Sequence, residues 1–197
     1  MSTVLAEKQD VPLTTLVQLC HYRWGVGVVA ALWETRGCKF VTLVNRLGVS
    51  RDALSRTLAG LDDLGLAMHN PGYGHPMRPE YLLTPDGETA GPAALDVFTR
   101  IRRAGLEDPA GRKWSLPALA ALKSVQGRFS TLEAALTGIT PRALTLALNG
   151  LEEAGLASRV VMAEHPPRTE YRVTRRGSAL ASSSLKLAKA LEFNPLD

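Results

Sequence analysis

Residues 75–87, HPMRPEYLLTPDG, return ninety positions later as HPPRTEYRVTRRG. Both stretches keep His-Pro, Arg, Glu-Tyr, and a Thr with a Gly three residues on. The same offset holds without a gap from Val49 to Gly87, laying VSRDALSRTLAGLDDLGLA over ITPRALTLALNGLEEAGLA, and more than a third of the pairs are identical. Trp24 aligns with Trp114, and Phe40 with Phe129 after a one-residue shift. Chance would supply only a few identities, so an internal duplication is expected. Its period far exceeds the roughly 20–45 residues of a solenoid unit and predicts two whole domains.

Each copy has the same internal grammar. WGVGVVAALWET and WSLPALAALKSV are apolar at helical spacing, with Gly25, Gly27 and Pro117 weakening the first turn. KFVTLVNRLG and RFSTLEAALTG read as short amphipathic helices ended by Gly48 and Gly138. Ser50 and Thr140 then stand where an N-cap is wanted, and Pro141 takes the first helical position, where its missing N–H costs nothing. The third helix is predicted at about Arg51–Leu64 and Pro141–Ala154. Its apolar positions Ala53, Leu54, Leu58 and Leu61 recur as Ala143, Leu144, Leu148 and Leu151, with Gly65 and Gly155 as stops. Two short helices joined by a tight turn make a helix-turn-helix.

Beyond that helix the period changes. LAMHN and LASRVVMA look extended, a Pro/Gly-rich stretch follows, and EYLLT and EYRVT alternate. Tyr81 with Leu83, and Tyr171 with Val173, share one face. This predicts a two-stranded hairpin, a wing, after which Thr84 and Thr174 are N-caps of a further helix, with Pro85 at N1 in the first copy. An amphipathic helix is expected at about Ala93–Ala104 in the joining stretch, and SALASSSLKLAKALEF is its counterpart after the second copy.

In this order the motifs resemble the HxlR-type winged helix-turn-helix transcriptional regulators. The second copy matches best, through RKWSLPALAALK, RFSTLEAAL, ITPRALTLALNGLEEAGL and HPPRTEYRVTRRG. The likeness covers about Tyr22–Gly87 and Arg112–Gly177. It implies mainly α structure with small β-hairpins, as two tandem winged helix-turn-helix domains. Members usually carry one such domain and dimerise through their terminal helices, so two copies in one chain imply a pseudo-dimer fused in one polypeptide. The expected layout is a first domain at 11–90, a connecting helix and linker at 91–111, and a second domain with a C-terminal helix at 112–197. Many members have a cysteine well before the Lys-Trp pair, used in some for redox sensing. Cys20 lies too close to Trp24 to take that place, and the role is not carried over.

In a helix-turn-helix the third helix enters the major groove and its N-terminal residues reach base edges. The outward positions are Ser50, Arg51, Asp52, Ser55, Arg56 and Ala59 in the first copy, and Thr140, Pro141, Arg142, Thr145, Leu146 and Asn149 in the second. Of these, Ser50, Arg51, Ser55, Arg56, Thr140, Arg142, Thr145 and Asn149 are candidate DNA contacts. Leu146 stands where a polar residue is expected. Arg78, Arg168 and Arg172 are candidates on the wings, and Arg78 with Glu80 or Arg168 with Glu170 reads equally as a local ion pair shaping the hairpin.

Charge supports an uneven division of labour. Arg23–Gly87 has seven basic and six acidic residues, and Arg112–Gly177 has ten and five, with much of the excess at Arg159, Arg168, Arg172, Arg175 and Arg176. The first copy is expected to read with its helix and the second to clamp phosphates with its wing. The overall balance, +4 with a pI of about 9.3, allows an anionic partner without demanding one.

Other classes find little support. H-E-x-x-H, Walker-type and G-x-S-x-G motifs are missing, so no enzyme is expected. No cofactor is expected either, and His75 and His165 lack a Cys/His cluster with metal-ligand spacing. Trp24 and Trp114 read as core anchors, and Cys20 and Cys38 as buried small hydrophobes rather than a disulfide. No apolar run nears the roughly 20 residues of a membrane span. MSTVLAEKQD lacks a signal-peptide h-region, so the expected compartment is the cytoplasm. The expected function is sequence-specific double-stranded DNA binding in transcriptional regulation. The rival is a tandem winged-helix interaction scaffold or accessory subunit of a chromosome-organising complex, a class that tends to be acidic. Operator, sign of regulation, effector and further self-association stay open.

Overall fold

The computed structural model describes residues 12–70, 80–162 and 168–192. The N-terminal half runs α1 (Thr14–His21), α2 (Gly25–Thr35), α3 (Phe40–Leu47), α4 (Arg51–Asp63), β1 (Ala67–Asn70), β2 (Glu80–Leu83) and α5 (Pro85–Ala104). The C-terminal half runs α6 (Glu107–Ala110), α7 (Ser115–Ser124), α8 (Phe129–Ala135), α9 (Pro141–Glu153), β3 (Ala157–Met162), β4 (Arg168–Val173) and α10 (Ser178–Ala190). The described chain is therefore mainly helical with two small antiparallel hairpins, β1–β2 and β3–β4. Among the described residues no helix is long and apolar enough to cross a membrane.

Bonds that shape one half recur in the other. Ser50 Oγ accepts the Ala53 N–H at 3.3 Å, and Thr140 Oγ1 accepts that of Ala143 at 3.2 Å, each satisfying an orphan donor of the following helix. Gly65 and Gly155, at φ +67° and +68°, let the chain reverse out of α4 and α9. Hairpin register is also matched: Ala67 faces Leu83 and His69 faces Tyr81, while Ala157 faces Val173 and Arg159 faces Tyr171. Each return strand ends on the same clasp. The N–H of Thr84 donates to the Leu66 carbonyl and that of Thr174 to the Leu156 carbonyl. Gly87 and Gly177 follow, where an added Cβ would stand 1.9 and 2.1 Å from those same carbonyl oxygens. Only glycine fits there, which is the physical reason for the Thr-x-x-Gly spacing.

The halves share one core. Buried residues from Leu13 to Leu191 form a single hydrophobic cluster. At its centre α5 packs on α2 and on α10, and α10 packs on α7. Gly91 and Gly27 allow the close α2–α5 approach, since a Cβ on either would press on Trp33 or Phe98. α1 crosses to touch α7 and α10. Eight residues rarely hold a helix alone, but Leu16 and Leu19 are fully buried, each contributing about 1.5–3 kcal/mol. On the surface, Arg23 reaches Asp108 at 3.3 Å and Arg112 reaches the same carboxylate at 3.4 Å.

Three helix boundaries differ from expectation, the first being that of α8, which ends at Ala135 with Leu136 as its C-cap instead of running to Gly138. The helix predicted to start near Ala93 is the end of one 20-residue helix that begins at Pro85 and runs through Pro92. An interior proline costs about 3 kcal/mol of helix propensity. Here Ala90, Gly91 and Ala94 are buried, and their packing outweighs that loss. In the second half, residues 175–177 form a turn and α10 starts only at Ser178. Thr174 Oγ1 nonetheless accepts the Gly177 N–H at 3.0 Å, as Thr84 Oγ1 does from Gly87 at 3.1 Å.

Candidate nucleic-acid interface

α4 and α9 each have 13 residues and bury one stripe. Leu54, Thr57, Leu58 and Leu61 face inward on α4, and Leu144, Leu148 and Leu151 on α9. With 3.6 residues per turn, the remaining positions form an outward face. Arg51, Asp52, Ser55, Arg56 and Ala59 are exposed on α4, as are Pro141, Arg142, Thr145, Leu146 and Asn149 on α9. All the helix candidates from sequence lie on these faces, with Ser50 and Thr140 doubling as caps. Thr145 Oγ1 donates to the Pro141 carbonyl at 2.9 Å, which commits its proton inside the helix.

Each helix carries a cation in its first turn, Arg51 or Arg142. The macrodipole disfavours a cation there by about 0.3–1 kcal/mol. Asp52 offsets this in α4, whereas the first turn of α9 contains no acid. Arg142 therefore gains nothing locally from its place, and an anion bound at that helix end would reverse the balance.

The second wing gathers more charge than its sequence suggested. Arg168 and Arg172 share Glu170, at 3.8 and 3.4 Å, and Arg128 approaches the same carboxylate at 3.9 Å. The expected Arg168–Glu170 pair is thus present as part of a cluster. Glu170 is only 19% exposed, and three guanidinium groups around one carboxylate leave net positive charge. Lys123, Gln126 and Gly127 line the same hollow. Sequence reasoning missed Arg128, which lies 42 residues before Glu170 and joins it through an isolated antiparallel bridge. The only hint was its place just ahead of the Phe129 helix. In the first half a neighbouring bridge joins Cys38 to Tyr81, Lys39 stands ahead of Phe40 where Arg128 stands ahead of Phe129, and Leu82 holds the place of Arg172. The candidate Arg78, with His75 and His165, lies outside the described residues.

Cys20 and Cys38 are free and buried. Burial pushes the Cys20 thiol up to about 12, so it is a protonated core group.

The profile of HxlR-like helix-turn-helix proteins matches residues 110–192. An uncharacterized HTH-type transcriptional regulator of Methanothermobacter thermautotrophicus is 41% identical over 70 residues, 36% of this chain and 53% of that protein. The HTH-type regulator YvaP of Bacillus subtilis is 38% identical over 74 residues, 38% of this chain and 68% of YvaP. A MarR-family transcriptional regulator of known structure from Enterococcus faecalis V583 is 37% identical, over 46% of this chain and 80% of its own, with a TM-score of 0.39. This chain thus spans about half the length of the Methanothermobacter relative and two thirds of YvaP. By the match to residues 110–192 and its relation to YvaP, the chain belongs to the HxlR-like helix-turn-helix family.

Proposed function

We propose that this chain is a sequence-specific, double-stranded DNA-binding transcriptional regulator, not an enzyme, built as a fused pseudo-dimer. Two winged helix-turn-helix domains, residues 11–90 and 112–197, arise from a tandem duplication and are joined by residues 91–111. The carrying observation is the pair α4 and α9. They have equal length, matched caps and matched buried leucines, while their exposed faces differ. Core positions tolerate little change, so a duplicated reader keeps its packing and is free to rewrite its reading face. The packing of α5 on α10 supports the pseudo-dimer, because the two helices stand at equivalent places after each wing.

Arg51 and Arg56 are assigned to base edges, with Ser50 and Ser55 beside them. Arg168 and Arg172, joined by Arg128, are assigned to backbone phosphates. Arg142 and Thr140 sit at the start of the second reading helix, followed by Thr145 and Asn149. Footprinting tests the whole reading. A single chain should protect two successive major grooves, about 34–36 Å apart, over a site with unlike halves. Absence of any protected duplex at low salt would favour the interaction scaffold instead.

A further inference from the structure

Among the described residues of α9, Leu146 is the large apolar side chain left in solvent, 61% exposed. Arg56 holds the equivalent place on α4. The helix that carries Leu146 is otherwise preserved, from the Thr140 cap to the buried Leu144, Leu148 and Leu151. Exposure of a leucine on a polar face has no packing benefit. Positions 142, 145, 146 and 149 recur at helical spacing and so share one face. Arg142, Thr145 and Asn149 are all exposed there, so Leu146 is the one large apolar side chain on the outward face of α9. A single exposed leucine is far below the apolar patch a protein partner would cover.

We propose that Leu146, with the methyl of Thr145, reads thymine methyl groups in the major groove. The second helix then selects A·T pairs where the first selects G·C. This deepens, and rests on, the DNA-binding reading above. The code of the major groove supplies the chemistry. Thymine alone among the four bases presents a methyl group there, and an apolar side chain recognises it. Thr145 contributes in the same sense, because its hydroxyl proton is committed to the Pro141 carbonyl at 2.9 Å. Its methyl is the part not tied to the helix. Asn149 lies one turn further along the same face, and its amide can pair with adenine N6 and N7. On α4 the corresponding chemistry is different. Arg51 and Arg56 present guanidinium forks, which suit guanine O6 and N7. The operator should therefore have one half marked by guanine and one by thymine and adenine.

The experiment uses the full chain and a pool of random-sequence DNA duplexes, from which bound sites are selected. Thymines of the selected site are then replaced one at a time by deoxyuridine, which removes only the methyl. Loss of one buried methyl should weaken binding about four-fold. With Leu146→Ala that penalty should vanish at the contacted position, and Leu146→Arg should draw guanine into that half. Leu146 is exposed, so neither variant threatens folding. A selected site whose second half is indifferent to the methyl, or a uracil penalty unchanged by Leu146→Ala, overturns this inference and leaves DNA binding standing. Failure of the wild-type chain to select any duplex overturns the DNA-binding reading and this inference with it.

Discussion

Ser183 Oγ donates a 2.5 Å hydrogen bond to Asp96 Oδ2, tying α10 to α5 across the junction of the two halves. Arg100, one turn along α5, holds the same carboxylate at 2.9 Å. Desolvation raises the Asp96 carboxyl, but hydrogen bonds from Arg100 and Ser183 and the charges of Arg100 and Lys186 outweigh it. The group stays below its ordinary value. A carboxyl depressed in the folded state adds stability that is full above its unfolded pKa. That stability is lost as pH falls through the lower, folded value. Thermal unfolding of Asp96→Asn should therefore lose part of the wild type's acid sensitivity at and below the ordinary carboxylate range. Ser183→Ala should cost about 1 kcal/mol at neutral pH, less than the roughly 1.5–3 kcal/mol of a fully desolvated charged acceptor, since Asp96 is partly solvated.

Gly60 and Gly150 hold equivalent helix positions with different neighbours. A Cβ on Gly60 would stand 2.0 Å from the Tyr22 ring, whereas on Gly150 it meets only the Arg112 guanidinium, at 3.1 Å. Gly60→Ala should destabilise by about 1–3 kcal/mol through overpacking. Gly150→Ala should be neutral or stabilising by up to about 1 kcal/mol, because alanine favours the helix and an arginine tip can move aside. Denaturant unfolding of the two single variants checks the contrast.

Binding to duplex DNA should weaken steeply with salt, since each neutralised phosphate contributes a log–log slope of about −0.9. Arg128→Ala, Arg168→Ala and Arg172→Ala should each lower affinity alike on cognate and scrambled duplexes, and each should flatten that slope by about one contact. A titration across a salt series measures both effects.

Arg56→Ala and Arg51→Ala should instead cost about 1–3 kcal/mol on the cognate site and much less on scrambled DNA. Equal losses on both sequences would reassign these arginines to the backbone.

The Cys20 thiol, buried and pushed up to about 12, should resist alkylation in the folded protein at neutral pH, because the thiolate is the reactive form. Its labelling rate in Cys38→Ser should rise with denaturant along the unfolding curve.

The sequence by itself determined the local order of elements, because that information is local. Apolar spacing marked α2, α3 and α4 and their counterparts, Ser50 and Thr140 marked the caps, and Gly65 and Gly155 marked the stops. The Thr-x-x-Gly spacing was visible as well, although its cause, a glycine against the Leu66 or Leu156 carbonyl, was not. Tertiary structure decided whatever depends on groups distant along the chain. α1 carries no motif that returns ninety positions later, and it is held by the burial of Leu16 and Leu19, with α2, α7 and α10 packed against it. Pro92 looks like a helix breaker until packing around Ala90, Gly91 and Ala94 carries α5 through it. Arg128 joins Arg168 and Arg172 only because a strand bridge brings it to Glu170. Side-chain periodicity records which face a residue takes, whereas long-range packing and charge clustering depend on which faces meet, and that is settled only when the chain closes on itself.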